Sequence, residues 1–242
     1  MTVLKVSGLT KNFGGFTAVD RVSLKVERGE MRGLIGSNGA GKSTLLHLIY
    51  GRIRPDQGSI LFGDVDVTAL AVTERARLGM GLVFQVTSVF EGLTVEENLL
   101  LGALPKETGR SRSIEVGAVQ RVMDLIELTP VRHRTAGSLS HGEKQWLEMG
   151  MVLLAGPSLL LLDEPTSGMT QAESRRTVGL LHQLRSEQTV EGVIVVEHNI
   201  EFIRLVSDQV TVMHRGAVLA DGTVEEVQGD RTVQDSYLGR LH

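Results

Sequence analysis

The spacing of apolar residues changes along this chain, and each change marks an element. Val3 to Val6 alternates as a strand does, and Val19 to Val26 repeats the pattern with Val22, Leu24 and Val26 on one face. Arg28-Gly29-Glu30 reads as a turn. Met31 to Ile35 reads as a short apolar strand running directly into a glycine-rich loop. Thr44 to Tyr50 then predicts a helix closed by Gly51. Pro55, Gly58 and Gly63 punctuate the following stretch, which holds the short strand Ser59-Ile60-Leu61-Phe62, and Gly81 to Phe84 is a further strand.

Beyond these strands the period lengthens. Thr94 to Leu101 predicts a helix, with Thr94 as N-cap and Glu97 placed to complete a capping box. Pro105 to Ser113 is polar and predicts a mobile loop. Val119, Val122, Met123 and Ile126 form a helical apolar stripe, and Glu143 to Leu154 predicts another helix. Strand signals then return. Leu159 to Leu162 and Val193 to Val196 are unbroken apolar runs, as strands covered on both faces should be, with a helical segment from Gln171 to Gln188 between them. Val210 to Met213 and Ala217 to Ala220 flank Arg215-Gly216 as a hairpin. The pattern is α/β, with a mostly helical stretch at roughly 87–157 that reads as a subdomain.

Composition narrows the class. With 242 residues and 41% hydrophobic content, the chain has ample material for a buried core. Its longest mostly apolar run, Met149 to Leu162, is about 14 residues, short of the about 20 that a membrane-spanning helix needs. The first residues, Met1-Thr2-Val3-Leu4-Lys5, do not read as a secretory signal. The absence of cysteine excludes disulfides and thiolate metal sites. A net charge of −4 without a long basic run gives no reason to expect a nucleic-acid partner.

The chemistry begins with the loop Gly36-Ser37-Asn38-Gly39-Ala40-Gly41-Lys42-Ser43-Thr44, which fits G-x-x-x-x-G-K-[ST]. Glycines let the backbone wrap a phosphate so that its N–H groups point at the oxygens. Lys42 supplies charge to the β and γ phosphates, Ser43 a hydroxyl for Mg²⁺, and the helix that follows its positive dipole end. The run Leu159 to Leu162 ends in Asp163-Glu164, and ligands of parallel sheets sit outside such strand ends. Asp163 is placed to hold Mg²⁺, and Glu164 to polarise a water for attack on the γ phosphate.

With these motifs in this order, the chain resembles the ATP-binding subunits of ABC transporters over nearly its whole length. Leu139-Ser140-His141-Gly142-Glu143 resembles the LSGGQ signature, Gln85 stands where the family has its Q-loop glutamine, His198 where it has the switch histidine, and Phe13 where an aromatic commonly stacks on adenine. The resemblance implies one cassette spanning 1–242. Residues 1–86 and 158–242 would form a RecA-like core with an antiparallel β subdomain, and about 87–157 a helical subdomain. It implies ATP hydrolysis with Mg²⁺ held by Ser43, Gln85 and Asp163, and catalysis by Glu164, His198, Gln85 and Lys42. It further implies that Ser140 and Gly142 bind the ATP of a second, identical or paralogous subunit, so that two subunits close head-to-tail around two nucleotides.

Two departures stand out. His141 and Glu143 replace Gly and Gln of the signature, and Ser167-Gly168-Met169-Thr170 lacks the Asp that many relatives carry as fourth residue. The segments 140–148, 168–170 and 197–202 resemble the urea-type subunit of the branched-chain amino acid importer group. That resemblance implies membrane permease subunits and a solute-binding protein as partners, and a peripheral place on the cytoplasmic face of the inner or plasma membrane. The rival reading is a soluble ABC ATPase acting on nucleic acid or ribosomes. Such proteins usually carry two cassettes or a long coiled coil, whereas this chain has one phosphate loop and no sustained heptads.

Overall fold

The computed structural model describes residues 1–103 and 117–235. The loop expected at Pro105 to Ser113 lies outside the described residues.

The chain opens with strands β1 (Thr2–Phe13) and β2 (Phe16–Glu27), which pair antiparallel. β3 (Glu30–Gly36) leads to helix α1 (Lys42–Tyr50), which Gly51 ends in the left-handed conformation at φ 87°. Next come β4 (Gln57–Phe62), β5 (Val65–Asp66), α2 (Val72–Leu78) and β6 (Met80–Val83). Helices α3 (Val95–Gly102), α4 (Ala118–Leu125) and α5 (His141–Leu154) follow, and among the described residues from 87 to 157 there is no strand, only the isolated bridge Thr94–Thr135. The chain then alternates through β7 (Leu159–Asp163), α6 (Gln171–Ser186), β8 (Gly192–Val196), α7 (Ile200–Val206), β9 (Gln209–His214) and β10 (Ala217–Gly222), with short helices α8 (Val224–Gly229) and α9 (Arg231–Val233) behind them.

The capping expectation at Thr94 holds in detail. Its hydroxyl accepts from the Glu97 N–H at 3.2 Å, and its own N–H donates to Glu97 Oε2 at 2.7 Å. Helices α2, α7, α8 and α9 have no counterpart in the sequence reading. Each spans two turns or fewer, too short for a periodic stripe to stand out.

Two sheets result. One is antiparallel, in the order β2-β1-β4-β5. The other runs β10-β9-β3-β8-β7-β6 and is parallel except for its edge strand β10. The unbroken apolar runs of β7 and β8 now have a cause, since both faces of each strand are covered. Leu159, Leu161, Ile194 and Val196 pack toward α1 and the antiparallel sheet, with Leu46, Val6 and Leu24. Leu160, Leu162, Val193 and Val195 pack on the opposite face with Leu181 and Phe202, and that cluster continues without a break into Val95, Leu99, Trp146 and Leu147 of the helical stretch. The helices after residue 94 are thereby joined to the sheet by apolar contact.

Arg75 is fully buried and acts as a cross-brace. Its guanidinium donates to the carbonyls of Leu48 (2.8 Å), Ile49 (2.6 Å), Thr68 (3.0 Å) and Leu70 (3.1 Å), closing the C-terminal end of α1, where the helix dipole favours a cation. This fixes α1, and so the loop before it, against the sheet.

Candidate functional site

The parallel strands β3, β6, β7 and β8 all deliver their C-terminal ends to one side of the sheet, the side where open α/β sheets bind ligands. Gly36 ends β3, Gln85 follows β6, Asp163 ends β7 with Glu164 directly after it, and Glu197 and His198 follow β8. A cleft of about 450 Å³ opens there, lined by Asn38 through Thr44 together with Gln85, Glu164 and His198.

The loop from β3 to α1 needs its glycines for space as well as for angle. Gly41 precedes α1 at φ 101°, and a Cβ there would lie 2.2 Å from the Ala18 carbonyl oxygen. At Gly36 a Cβ would lie 2.3 Å from the Met213 carbonyl oxygen. The loop is thus pressed between β2 and β9, and the first N–H groups of α1 face the cleft without intrahelical partners, a ready anion site.

Lys42 folds back over this loop. Its ammonium donates to the carbonyls of Gly36 at 2.8 Å and Ser37 at 3.2 Å. Burial pulls its pKa down, while the nearby Glu164 and Asp163 carboxylates oppose the shift. The Ser43 hydroxyl donates to Asp163 Oδ1 at 3.1 Å. Burial raises the Asp163 pKa, and this hydrogen bond works against the rise. Two hard oxygen donors side by side suit Mg²⁺, which is bound through one or two protein oxygens plus substrate phosphates. No cluster of three or more His, Asp or Glu able to hold a metal alone occurs among the described residues.

Opposite the loop, Gln85 donates its side-chain N–H to Glu164 Oε2 at 2.9 Å. Glu164 sits at φ 48°, a left-handed conformation that costs a non-glycine residue about 1 kcal/mol or more. Its N–H is held by the Val196 carbonyl at 2.9 Å, so β8 enforces the turn that aims the carboxylate into the cleft. His198 Nδ1 lies 3.9 Å from the same carboxylate.

Glu197 was not singled out from sequence, yet it organises this corner. It is fully buried. Its Oε1 accepts from the Thr166 N–H at 3.0 Å and the Thr166 hydroxyl at 2.5 Å, and its Oε2 accepts from the His198 N–H at 3.1 Å. It therefore ties the turn after Glu164 to the turn carrying His198. The available signal was an acid directly continuing an all-apolar strand.

Phe13, Ser140 and Gly142 do not line the cleft. Phe13 ends β1 half-exposed, with the Lys11 ammonium 5.5 Å from its ring centre. Ser140 caps α5, its hydroxyl accepting from the Glu143 N–H at 3.2 Å while its own N–H donates to Glu143 Oε2 at 2.7 Å. Glu143, a departure from the signature, thus completes a capping box. His141, the other departure in the signature, packs against the loop 167–170. The His141 ring lies 3.2 Å from where a Cβ on Gly168 would stand, and a Cβ on Gly142 would lie 2.6 Å from Glu173 Oε1. At Gly168 the left-handed φ of 72° favours glycine, and at Gly142 a side chain would have to displace the Glu173 carboxylate.

Comparison with known proteins identifies the family and the fold. The profile of the family described as ABC transporter matches residues 19–167. The high-affinity branched-chain amino acid transport ATP-binding protein BraF of Pseudomonas aeruginosa is 35% identical, with 98% of each chain covered. LivG of Escherichia coli, of the same description, is 31% identical, again with 98% of each covered. A solved ATP-binding cassette of an ABC transporter in its ADP conformation superposes with a TM-score of 0.87 at 29% identity, covering 99% of this chain and 100% of that one. A dimeric cassette in a post-hydrolysis state with ADP and Pi gives 0.81 at 25%, covering 91% and 98%.

Proposed function

Since the chain belongs to the ABC transporter family and is its ATP-hydrolysing, ATP-binding component, we propose that it powers a membrane importer of the branched-chain amino acid group, for amino acids or urea. The observation that carries this reading is the single cleft in which the phosphate loop, the Ser43–Asp163 pair and the Gln85–Glu164 pair face one another beside His198. The relatives' descriptions favour amino acids; the urea alternative rests on the segments 140–148, 168–170 and 197–202.

In this proposal Gly36 to Thr44 wrap the β and γ phosphates, and Lys42 leaves the loop carbonyls to neutralise them. Ser43 and Asp163, with Gln85, would hold Mg²⁺, which would balance charge on the phosphates. Glu164 accepts a proton from the attacking water, Gln85 orients that water, and His198 contacts the γ phosphate. Positioning and charge stabilisation account for most of such catalysis. Phe13 stacks on the adenine. Ser140 and Gly142 reach the nucleotide of a second subunit, identical or paralogous, and permease subunits with a solute-binding protein complete the assembly. The protein is then peripheral, on the cytoplasmic face of the membrane. Among the described residues no helix is long and apolar enough to cross a bilayer, and in this proposal attachment falls to the permeases.

Two measurements test this. Purified protein carrying Glu164→Gln should lose steady-state ATP hydrolysis by at least about hundredfold while ATP affinity stays within a few-fold; wild-type turnover in that variant would remove Glu164 from its role. Co-purification from membranes should bring permease chains with the wild-type protein, and recovery with ribosomes or nucleic acid instead would replace the importer reading.

A further inference from the structure

Helix α5 carries two buried polar side chains that the chemistry above does not use. Gln145 and Glu148 are 2% and 4% exposed and lie on one face, three residues apart. Gln145 Nε2 donates to the Phe84 carbonyl at 3.1 Å. The backbone N–H groups of Ser88 and Phe84 lie beside the Glu148 carboxyl and favour its charged form. These contacts bracket Gln85 in sequence, one residue before it and three after.

Glu148 has no cation to pair with among the described residues, and its Oε2 is buried without a hydrogen-bond partner. Around it α5 is apolar, with Leu147 and Met149 fully buried. A buried carboxyl without a counter-charge destabilises a fold, and an apolar side chain at the same place would pack at no such cost. Stability therefore gives no reason for an acid here. What the acid supplies is a grip on the backbone at both ends of the short segment carrying Gln85.

We propose that Glu148, together with Gln145, is a positioning residue for Gln85: the two side chains fasten the segment 84–88 to α5, so that the place of the Gln85 amide against Glu164 follows the helix that begins at Ser140. The proposal rests on the role given to Gln85 above. It adds a link, inside one subunit, between the helix whose start lies outside the cleft and the residue that touches the general base.

The test is a double-mutant cycle on the full chain. Glu148→Ala should lower kcat for ATP hydrolysis about tenfold to hundredfold, as misplacement of a catalytic group does, and leave KM for ATP within about twofold. Glu148→Gln keeps an acceptor for the two N–H groups and should retain kcat within about threefold. Gln145→Leu, similar in volume, removes the other contact and should lower kcat in the same sense, which keeps the question open to measurement if Glu148→Ala fails to fold. In a Gln85→Ala background each of these losses should shrink to less than about twofold, because the group being positioned is gone. A full loss persisting in that background would overturn the inference while leaving Gln85 in its role. A Gln85→Ala variant with wild-type kcat would overturn both. Equal defects in Glu148→Gln and Glu148→Ala, or a fall in thermal stability with kcat unchanged, would reduce Glu148 to a packing residue.

Discussion

Gly41 and Glu197 show how single residues set the site. At Gly41 the backbone is left-handed and the Ala18 carbonyl stands where a Cβ would go, so strain and clash act together. Gly41→Ala should therefore weaken ATP binding at least about tenfold and cost about 1–3 kcal/mol of stability, read by nucleotide titration and urea unfolding. Normal binding in that variant would show that the loop can relax away from β2. Glu197→Ala removes the acceptor for the backbone N–H groups of Thr166 and His198. Leaving buried donors unpaired costs about 1–3 kcal/mol. Loss of stability and loss of turnover should appear together, because the same bonds hold the turns after Glu164 and before α7.

At the scale of the element, α5 carries a pH signature. Burial pushes the Glu148 carboxyl from 4.5 up to about 7. The native protein thus binds a proton that the unfolded chain releases at lower pH. Stability from this group is fully present below about pH 4.5 and falls as pH rises toward 7, by an amount on the order of 3 kcal/mol. Glu148→Gln removes the titration. The variant should match wild type near pH 5 and exceed it at pH 8, with urea midpoints at the two pH values as the measurement; an unchanged difference between them would mean that the carboxyl titrates normally. Of the elements, every strand except the two-residue β5, and the helices α1, α3, α4, α5 and α6, are legible because each carries an apolar run, an apolar period or a cap. The start of α5 moved from the expected Glu143 to His141 because Ser140 caps the helix through Glu143 itself.

For the whole molecule, the distance between sequence and site matters most. Four strands of one parallel sheet bring Gly36, Gln85, Asp163, Glu164 and His198 to a single edge, although they span more than half the chain. Ser140 and Gly142 stay outside that cleft, and in the proposed function they serve a second subunit. The Glu164→Gln protein should accordingly form a dimer in ATP, alone or with a paralogous subunit, visible by sedimentation. The same variant with Lys42→Ala added should remain monomeric; a monomer in both cases would count against the closed dimer.

The sequence by itself determined the chemistry that depends on contiguous residues. The phosphate loop, the acids ending an apolar strand and the capped helices are local patterns, and backbone geometry follows from them directly. Only the tertiary structure decided what distant segments do to one another. That Glu197 binds Thr166, that His141 lies over Gly168, and that Gln145 and Glu148 grip the backbone beside Gln85 are contacts between residues 27 to 64 positions apart, made by the register of β7 on β8 and the packing of α5 beneath β6. No period or motif encodes them, because a buried polar side chain is defined by the group it meets, and that group is chosen by the fold.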